Sequence, residues 1–321
     1  MRPAQHAPLE SGLAAEARDL VKDFDGKRAV DGVSLTVPTG SISGILGPNG
    51  AGKTTTLRMM LGIIEPSSGS RTLLGHSRPL EAASEVGYLP EERGLYPSML
   101  AAEAIAFMGA LRGLPIALGR RRAVELLEAR GYADWAKRPI RTLSKGMAQT
   151  VQLLGTMVHR PRLLVLDEPF SGLDALNQEK LEQLIRDQAE AGTTVIFSTH
   201  VIAHAERLCQ RVAIIAEGKV AFEGGVDEAR DQLRPIVRLR TRASDGPWRS
   251  ALPPEAACIG GEWRFELPAG GPEPLLKALI DGAAGIETLS IERPGLHDAF
   301  IAIAGAAAAR EMGHATPEHT Q

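Results

Sequence analysis

The sequence predicts an α/β fold: an open, mainly parallel sheet carrying a phosphate loop, followed by a small α/β module. Three observations predict it. Short apolar runs of the buried-parallel-strand type recur in "SISGIL", "RLLVLD" and "TTVIFST". A glycine-rich loop, Gly47–Thr55, stands between the first of these runs and a helical segment. After about Arg230 the pattern changes and a second, shorter series of strands and helices begins.

Residues 1–14 read as a flexible leader, rich in Pro, Gln, His and Ser without a period. From about Ala17 to Asp31, two short strands flank the turn "DFDGK", and "GVSLTV" continues that sheet. "SISGIL" is a buried strand ending at Gly47, and a helix runs from about Gly52 to Ile63. "GYLPEERGLYPSM" reads as a loop, and charged helices follow from about Ala101 to Arg130. A second helical block follows "TLSKGM", and "RVAIIAEGKVAFEGG" is a hairpin turning at Glu217–Gly218. A first domain is thus expected over 15–230 and an accessory module over 231–305, with a frayed tail at 306–321. In the module, "PIVRLRTR" and "EWRFELP" read as strands and "EPLLKALIDGAAG" as a helix. "IETLSIERPGLHDAFIAIAG" supplies one more strand and a last helix, with His297 and Asp298 as polar residues at its start.

The chain of 321 residues has room for about two domains, and 44% hydrophobic residues can build a full core. A net charge of -3 leaves no basic footprint for nucleic acid. The two cysteines, Cys209 and Cys258, have no metal spacing and suit a reducing compartment. The most apolar stretch, Ala101–Gly119, is interrupted by Glu103 and Arg112, so no membrane span is expected.

"GPNGAGKTT" (Gly47, Pro48, Asn49, Gly50, Ala51, Gly52, Lys53, Thr54, Thr55) fits G-x-x-x-x-G-K-[ST] in full. Its glycines let backbone N–H groups turn inward around phosphate oxygens, and the helix dipole adds to the attraction. Lys53 is placed to reach the β and γ phosphates of a bound nucleotide, and the Thr54 hydroxyl to ligate Mg²⁺.

"LLVLDEP" ends a hydrophobic strand in Asp167 and Glu168. Ligands of parallel sheets sit at the carboxyl ends of strands, so this acidic pair faces the crevice of the phosphate loop. Asp167 is then the carboxylate on the Mg²⁺ side, and Glu168 the base that polarises the attacking water. "TTVIFSTH" ends likewise at His200, which can bond the γ-phosphate or order the water. His204 makes an H-x-x-x-H spacing with His200, but no third zinc ligand stands nearby in the sequence.

Six ordered features make the stretch from about Ala17 to Ala229 resemble the ATP-binding subunit of an ABC transporter. They are Phe24, the phosphate loop, "YLPEE", "LSKGMAQ", "LLVLDEPFSGLD" and "STH". The resemblance implies a P-loop NTPase core with an antiparallel β subdomain and a helical subdomain. It implies that Phe24 stacks on adenine, as a flat apolar ring can. Glu91 stands where the family has a glutamine that ligates Mg²⁺, and a carboxylate is also a hard oxygen ligand. Ser144 and Gly146 remain of a signature in which Lys145 and Met147 replace a Gly and the Gln. In the family this signature touches the γ-phosphate of an ATP held by a second subunit. Ser171, Gly172, Leu173 and Asp174 correspond to the loop that crosses to that partner.

The implied partners are a second ATP-binding subunit, as homodimer or heterodimer, and multi-span permease subunits. The chain would lie peripherally on the cytoplasmic face of the membrane. The segment Glu85–Ala102 would meet the permease, with Tyr88, Leu95, Tyr96 and Met99 offering apolar surface. "GYLPEERGLYPSM" and the appended module resemble a bacterial sodium- and drug-export-like group. The alternative is an ABC-type ATPase acting on the ribosome or DNA. Such forms carry two nucleotide domains or long coiled-coil insertions, and this sequence shows neither.

Overall fold

The computed structural model describes residues 12–92 and 94–314. Contacts divide the described residues into one unit, 12–225 with 303–314, and a second unit, Val226–Ala302.

In the first unit, β1 (Leu13–Phe24) and β2 (Lys27–Pro38) form an antiparallel hairpin. Asp25 and Gly26 turn it, both left-handed (φ 45° and 84°), which is the backbone a two-residue hairpin turn needs. The hairpin is longer than the two short strands expected. "GVSLTV" lies inside β2, and β1 begins at Leu13 with Ala14 and Ala15 buried. Alanines carry little strand signal, so that start is settled by packing. Most of the expected leader, residues 1–11, lies outside the described residues.

Then come β3 (Ile42–Leu46), α1 (Lys53–Met60) and β4 (Ser68–Leu73). β4 returns to pair with β1, giving a three-stranded antiparallel sheet of order β2-β1-β4. β5 (Val86–Leu89) follows, where a loop was expected from Gly87. The glycine hid it: a Cβ on Gly87 would lie 2.3 Å from the carbonyl oxygen of Thr156, so only glycine lets this strand pack so closely.

The helical block consists of α2 (Ala101–Ala110), α3 (Ile116–Glu128) and α4 (Lys145–Met157), with α2 packed on both others. The chain then alternates β6 (Leu163–Asp167), α5 (Ala175–Glu190), β7 (Thr194–Thr199), α6 (Ile202–Leu208) and β8 (Arg211–Ala216). The turn Glu217–Gly218 leads into β9 (Lys219–Gly225). These strands form a six-stranded sheet, β5-β6-β7-β3-β8-β9, parallel except for β9. β3, β6 and β7 are buried along their whole length, as central strands covered on both faces must be. Their register brings Leu46 beside Thr199 and Asp167 beside Ser198, so three strand ends open into one crevice.

The second unit starts with α7 (Val226–Arg230) and builds β10 (Ile236–Thr241), β11 (Ala257–Ile259), β12 (Glu262–Glu266), α8 (Pro272–Asp281) and β13 (Ile286–Glu292). Its antiparallel sheet, β11-β12-β10-β13, packs Val237, Leu239 and Phe265 with Leu275, Leu279 and the fully buried Trp248. β11 was not expected, because its three residues are all exposed and carry no alternation. α9 (Leu296–His314) continues as helix through the start of the expected frayed tail, and 315–321 lie outside the described residues.

Candidate functional site

The phosphate loop leaves β3 and is pressed against its neighbours at two glycines. A Cβ on Gly47 would stand 2.3 Å from the carbonyl oxygen of Ile215, and one on Gly52 2.6 Å from that of Ala29. Gly50 and Gly52 are left-handed (φ 81° and 100°), which turns successive N–H groups inward before α1 begins at Lys53. The buried Lys53 Nζ donates to the carbonyl oxygens of Gly47 (2.9 Å) and Pro48 (3.1 Å) and lies 3.3 Å from Glu168 Oε1.

Ser198 ties the acidic strand end together. Its hydroxyl donates to Asp167 Oδ1 (2.6 Å) and accepts from the Glu168 N–H (2.9 Å). The Thr54 hydroxyl donates to the same Asp167 oxygen (3.0 Å). The other oxygen, Asp167 Oδ2, is buried with no hydrogen-bond partner among the described residues. Glu168 is left-handed (φ 45°), a backbone that costs a glutamate about 1–3 kcal/mol and persists only where the surroundings impose it. His200 Nδ1 lies 3.0 Å from Glu168 Oε2.

Asn49, Gly50, Lys53, Thr54, Glu168 and His200 line a cavity of about 360 Å³, together with Glu91 and Ser171. The structure thus brings together the phosphate loop, Thr54, Asp167, Glu168 and His200. Glu91 is exposed at the cavity wall.

Phe24 stands 43% exposed at the hairpin tip, outside the cavity lining, with Lys22 Nζ 5.2 Å from its ring centroid. Ser144 and Gly146 are not in the lining either. Ser144 caps α4, its hydroxyl accepting from Met147 N (3.2 Å). Gly146 packs near Leu173 and Asn177, and Lys145 lies over Gly172. Asp174 caps α5 by accepting from the Asn177 N–H (2.9 Å). His204 is turned to Glu182 (2.9 Å) and takes no part in the cavity.

Residues 30–171 match the family model described as ABC transporter. An ABC transporter ATP-binding protein of Bacillus subtilis, YhaQ, is 34% identical over 89% of this chain and 97% of its own length. The chain belongs to the ABC transporter ATP-binding family. The daunorubicin/doxorubicin resistance ATP-binding protein DrrA of Streptomyces peucetius is 37% identical over 74% of this ATPase and 72% of that protein. A solved ATP-binding subunit of an ABC transporter superposes with a TM-score of 0.62 at 30% identity, covering 68% of this ATPase and 92% of that chain. The ATPase therefore binds ATP, and its hydrolysis powers transport. No helix among its described residues is long and apolar enough to cross a membrane.

Sequence reasoning missed Ser198. A serine within an apolar strand looks like filler, and only the register with Asp167 reveals its place. It also missed Phe170, two residues after Glu168, whose ring stacks on His204 (centroids 3.9 Å apart, 10° between planes).

Proposed function

We propose that the cavity holds the triphosphate of Mg²⁺-ATP and that Glu168 is the base of its hydrolysis. The observation that carries this is the acidic strand end beneath the phosphate loop. Asp167 Oδ2, buried and without a partner among the described residues, lies on a carboxylate whose other oxygen takes the Thr54 hydroxyl. That donor set of hard oxygens fits Mg²⁺, with Glu91 at the cavity wall as a further oxygen. The metal would neutralise phosphate charge during transfer.

The chain's own residues do the rest. The loop N–H groups and Lys53 hold phosphate oxygens. Glu168 takes a proton from the attacking water, and His200 fixes the direction of its carboxylate through Oε2. Phe24, exposed at the hairpin tip, is offered to the adenine ring.

Two ATPase subunits work together in this reading. Ser144 and Gly146 lie outside the cavity of their own chain, which supports the arrangement that the family resemblance implies, a second copy or a related subunit supplying that segment. The loop Ser171–Asp174 lies against Gly146 and Lys145, where it can follow the signature helix. The pair would sit on the cytoplasmic face of the membrane beneath multi-span permease subunits. The similarity to a resistance ATP-binding protein supports export.

Tyr96 and Leu111, 59% and 68% exposed, support a docking surface at the helical block. Nearby, Tyr88, Met108, Leu111, Arg112, Thr156 and His159 line a cavity of about 280 Å³. Burial lowers the pKa of Arg112, which donates to the Ala83 carbonyl (3.1 Å) and has no acidic partner among the described residues. An acidic permease residue would complete it.

Glu168→Gln tests the reading. It removes the base and keeps the phosphate contacts. Turnover should fall by about 10²–10⁴-fold while ATP still binds, and the chain should accumulate as a dimer in ATP and Mg²⁺ on size-exclusion chromatography. Turnover at the unsubstituted rate would remove Glu168 from the role.

A further inference from the structure

The H-x-x-x-H spacing of His200 and His204 serves neither a metal nor the phosphate cavity as a pair. His204 is buried on α6, the helix that starts just after His200. Its Nδ1 meets Glu182 Oε1 at 2.9 Å, and Arg207 Nε reaches both oxygens of Glu182 at 3.0 and 3.1 Å. Burial pushes the Glu182 carboxyl up, but the hydrogen bonds from Arg207 and His204 outweigh it and hold its pKa below the ordinary value. The imidazole is therefore fixed in place, and its face covers the Phe170 ring at 3.9 Å. Phe170 meets Phe197 of β7 edge-on from another side (5.8 Å, 80°).

Phe170 stands two residues after Glu168. The left-handed backbone of Glu168 has to be imposed from both sides. On the N-terminal side, β6 and the Ser198 hydroxyl hold it. On the C-terminal side, Pro169 has no N–H to give, and its carbonyl accepts from Gln149 Nε2 at 2.5 Å. The buried Phe170 ring is the side-chain anchor there.

We propose that His204 is a positioning residue for Glu168. The two histidines grip opposite ends of one three-residue segment: His200 bonds the Glu168 carboxylate, and His204 clamps Phe170. With the clamp in place, Glu168 keeps its left-handed backbone and its carboxylate stays aimed into the cavity. The inference rests on Glu168 being the hydrolytic base.

The test uses the full-length chain, its steady-state ATPase rate and its ADP affinity. His204→Ala should lower kcat about tenfold, short of the ~10²-fold that a 1 Å misplacement of a catalytic group can cost. KM and the Kd for ADP should stay within about twofold, because the phosphate loop is untouched. His204→Phe restores a flat ring over Phe170 and should recover most of kcat, whereas His204→Gln keeps a polar group for Glu182 without the ring and should stay slow. Phe170→Leu should also be slow, and combining it with His204→Ala should cost no more than either alone, since both remove one contact.

A normal kcat in His204→Ala overturns the proposal. So does a His204→Phe chain no faster than His204→Gln, a comparison that stands even where the alanine variant does not fold. Additive losses in the double variant also overturn it. Glu168→Gln separates the two ideas: turnover retained there sinks the base assignment itself, whereas an inactive Glu168→Gln with normal His204 variants sinks only the positioning role.

Discussion

Ser198→Ala removes one oxygen and undoes two bonds. Ser198 is fully buried, and among the described residues its hydroxyl is the hydrogen-bond partner of the Glu168 N–H. Its bond to Asp167 Oδ1, at 2.6 Å, is made to a carboxylate. A lost hydrogen bond to a charged group costs about 1.5–3 kcal/mol, and a buried N–H left without a partner about 1–3 kcal/mol. Asp167 keeps the Thr54 hydroxyl on the same oxygen, which argues for the lower half of the first range. The expected destabilisation is about 3 kcal/mol, a large share of the ~5–15 kcal/mol typical of a domain. At a urea slope of about 2 kcal/mol per molar, the midpoint should fall by roughly 1.5 M. Far-UV circular dichroism in urea reads this out. The transition of the first unit is the one that ADP moves upward, since ligand binding to the folded state raises its midpoint. Ser198→Cys, with a weak donor of similar shape, should fall between the two. A midpoint shift below about 0.3 M would refute the hydroxyl's bridging role.

Two further outcomes are expected. Burial pushes the His159 pKa down to about 4, against 6.5 unperturbed, so the unfolded chain binds the extra proton between those values; stability contributed by keeping this imidazole neutral is complete above pH 6.5 and is lost as pH falls, by about 3 kcal/mol at pH 4. Urea midpoints measured from pH 7 to pH 4 should show that slope in the unsubstituted chain, and an equal slope in His159→Gln would exclude His159 as its source. Arg112→Glu reverses the charge proposed to meet an acidic permease residue and should release the chain from membranes carrying its permease; undiminished membrane co-purification would place the contact elsewhere.

The site was legible where its chemistry is local. Gly47–Thr55 announces a phosphate loop because turn, ammonium and hydroxyl follow one another in the chain. Asp167, Glu168 and His200 could be placed because each closes an apolar run, and strand ends of a parallel sheet face one crevice. The hidden parts depend on register or on backbone angles. Ser198 matters only because β6 and β7 pair Asp167 with it. β5 looked like a loop because the glycine that permits its close packing is the residue that erases its strand signal.

His204 shows how a spacing becomes a structural statement. Two histidines at i and i+4 would face the same way on a helix, which is why the spacing suggests a shared ligand. Here the helix begins at Ile202, after His200, so only His204 belongs to it. His200 projects from the end of the chain leaving β7 and reaches Glu168. His204 turns into the protein, where its Nδ1 meets Glu182 Oε1 and Arg207 Nη2, two atoms that are also hydrogen-bonded to each other. The boundary of one seven-residue helix decides between a metal pair and a clamp. That boundary follows from Val201, which is extended (φ -97°, ψ 97°) and donates its N–H to the Thr199 hydroxyl at 3.0 Å. A β-branched residue favours that extended backbone, so the break between the two histidines is written in the valine that separates His200 from the helix.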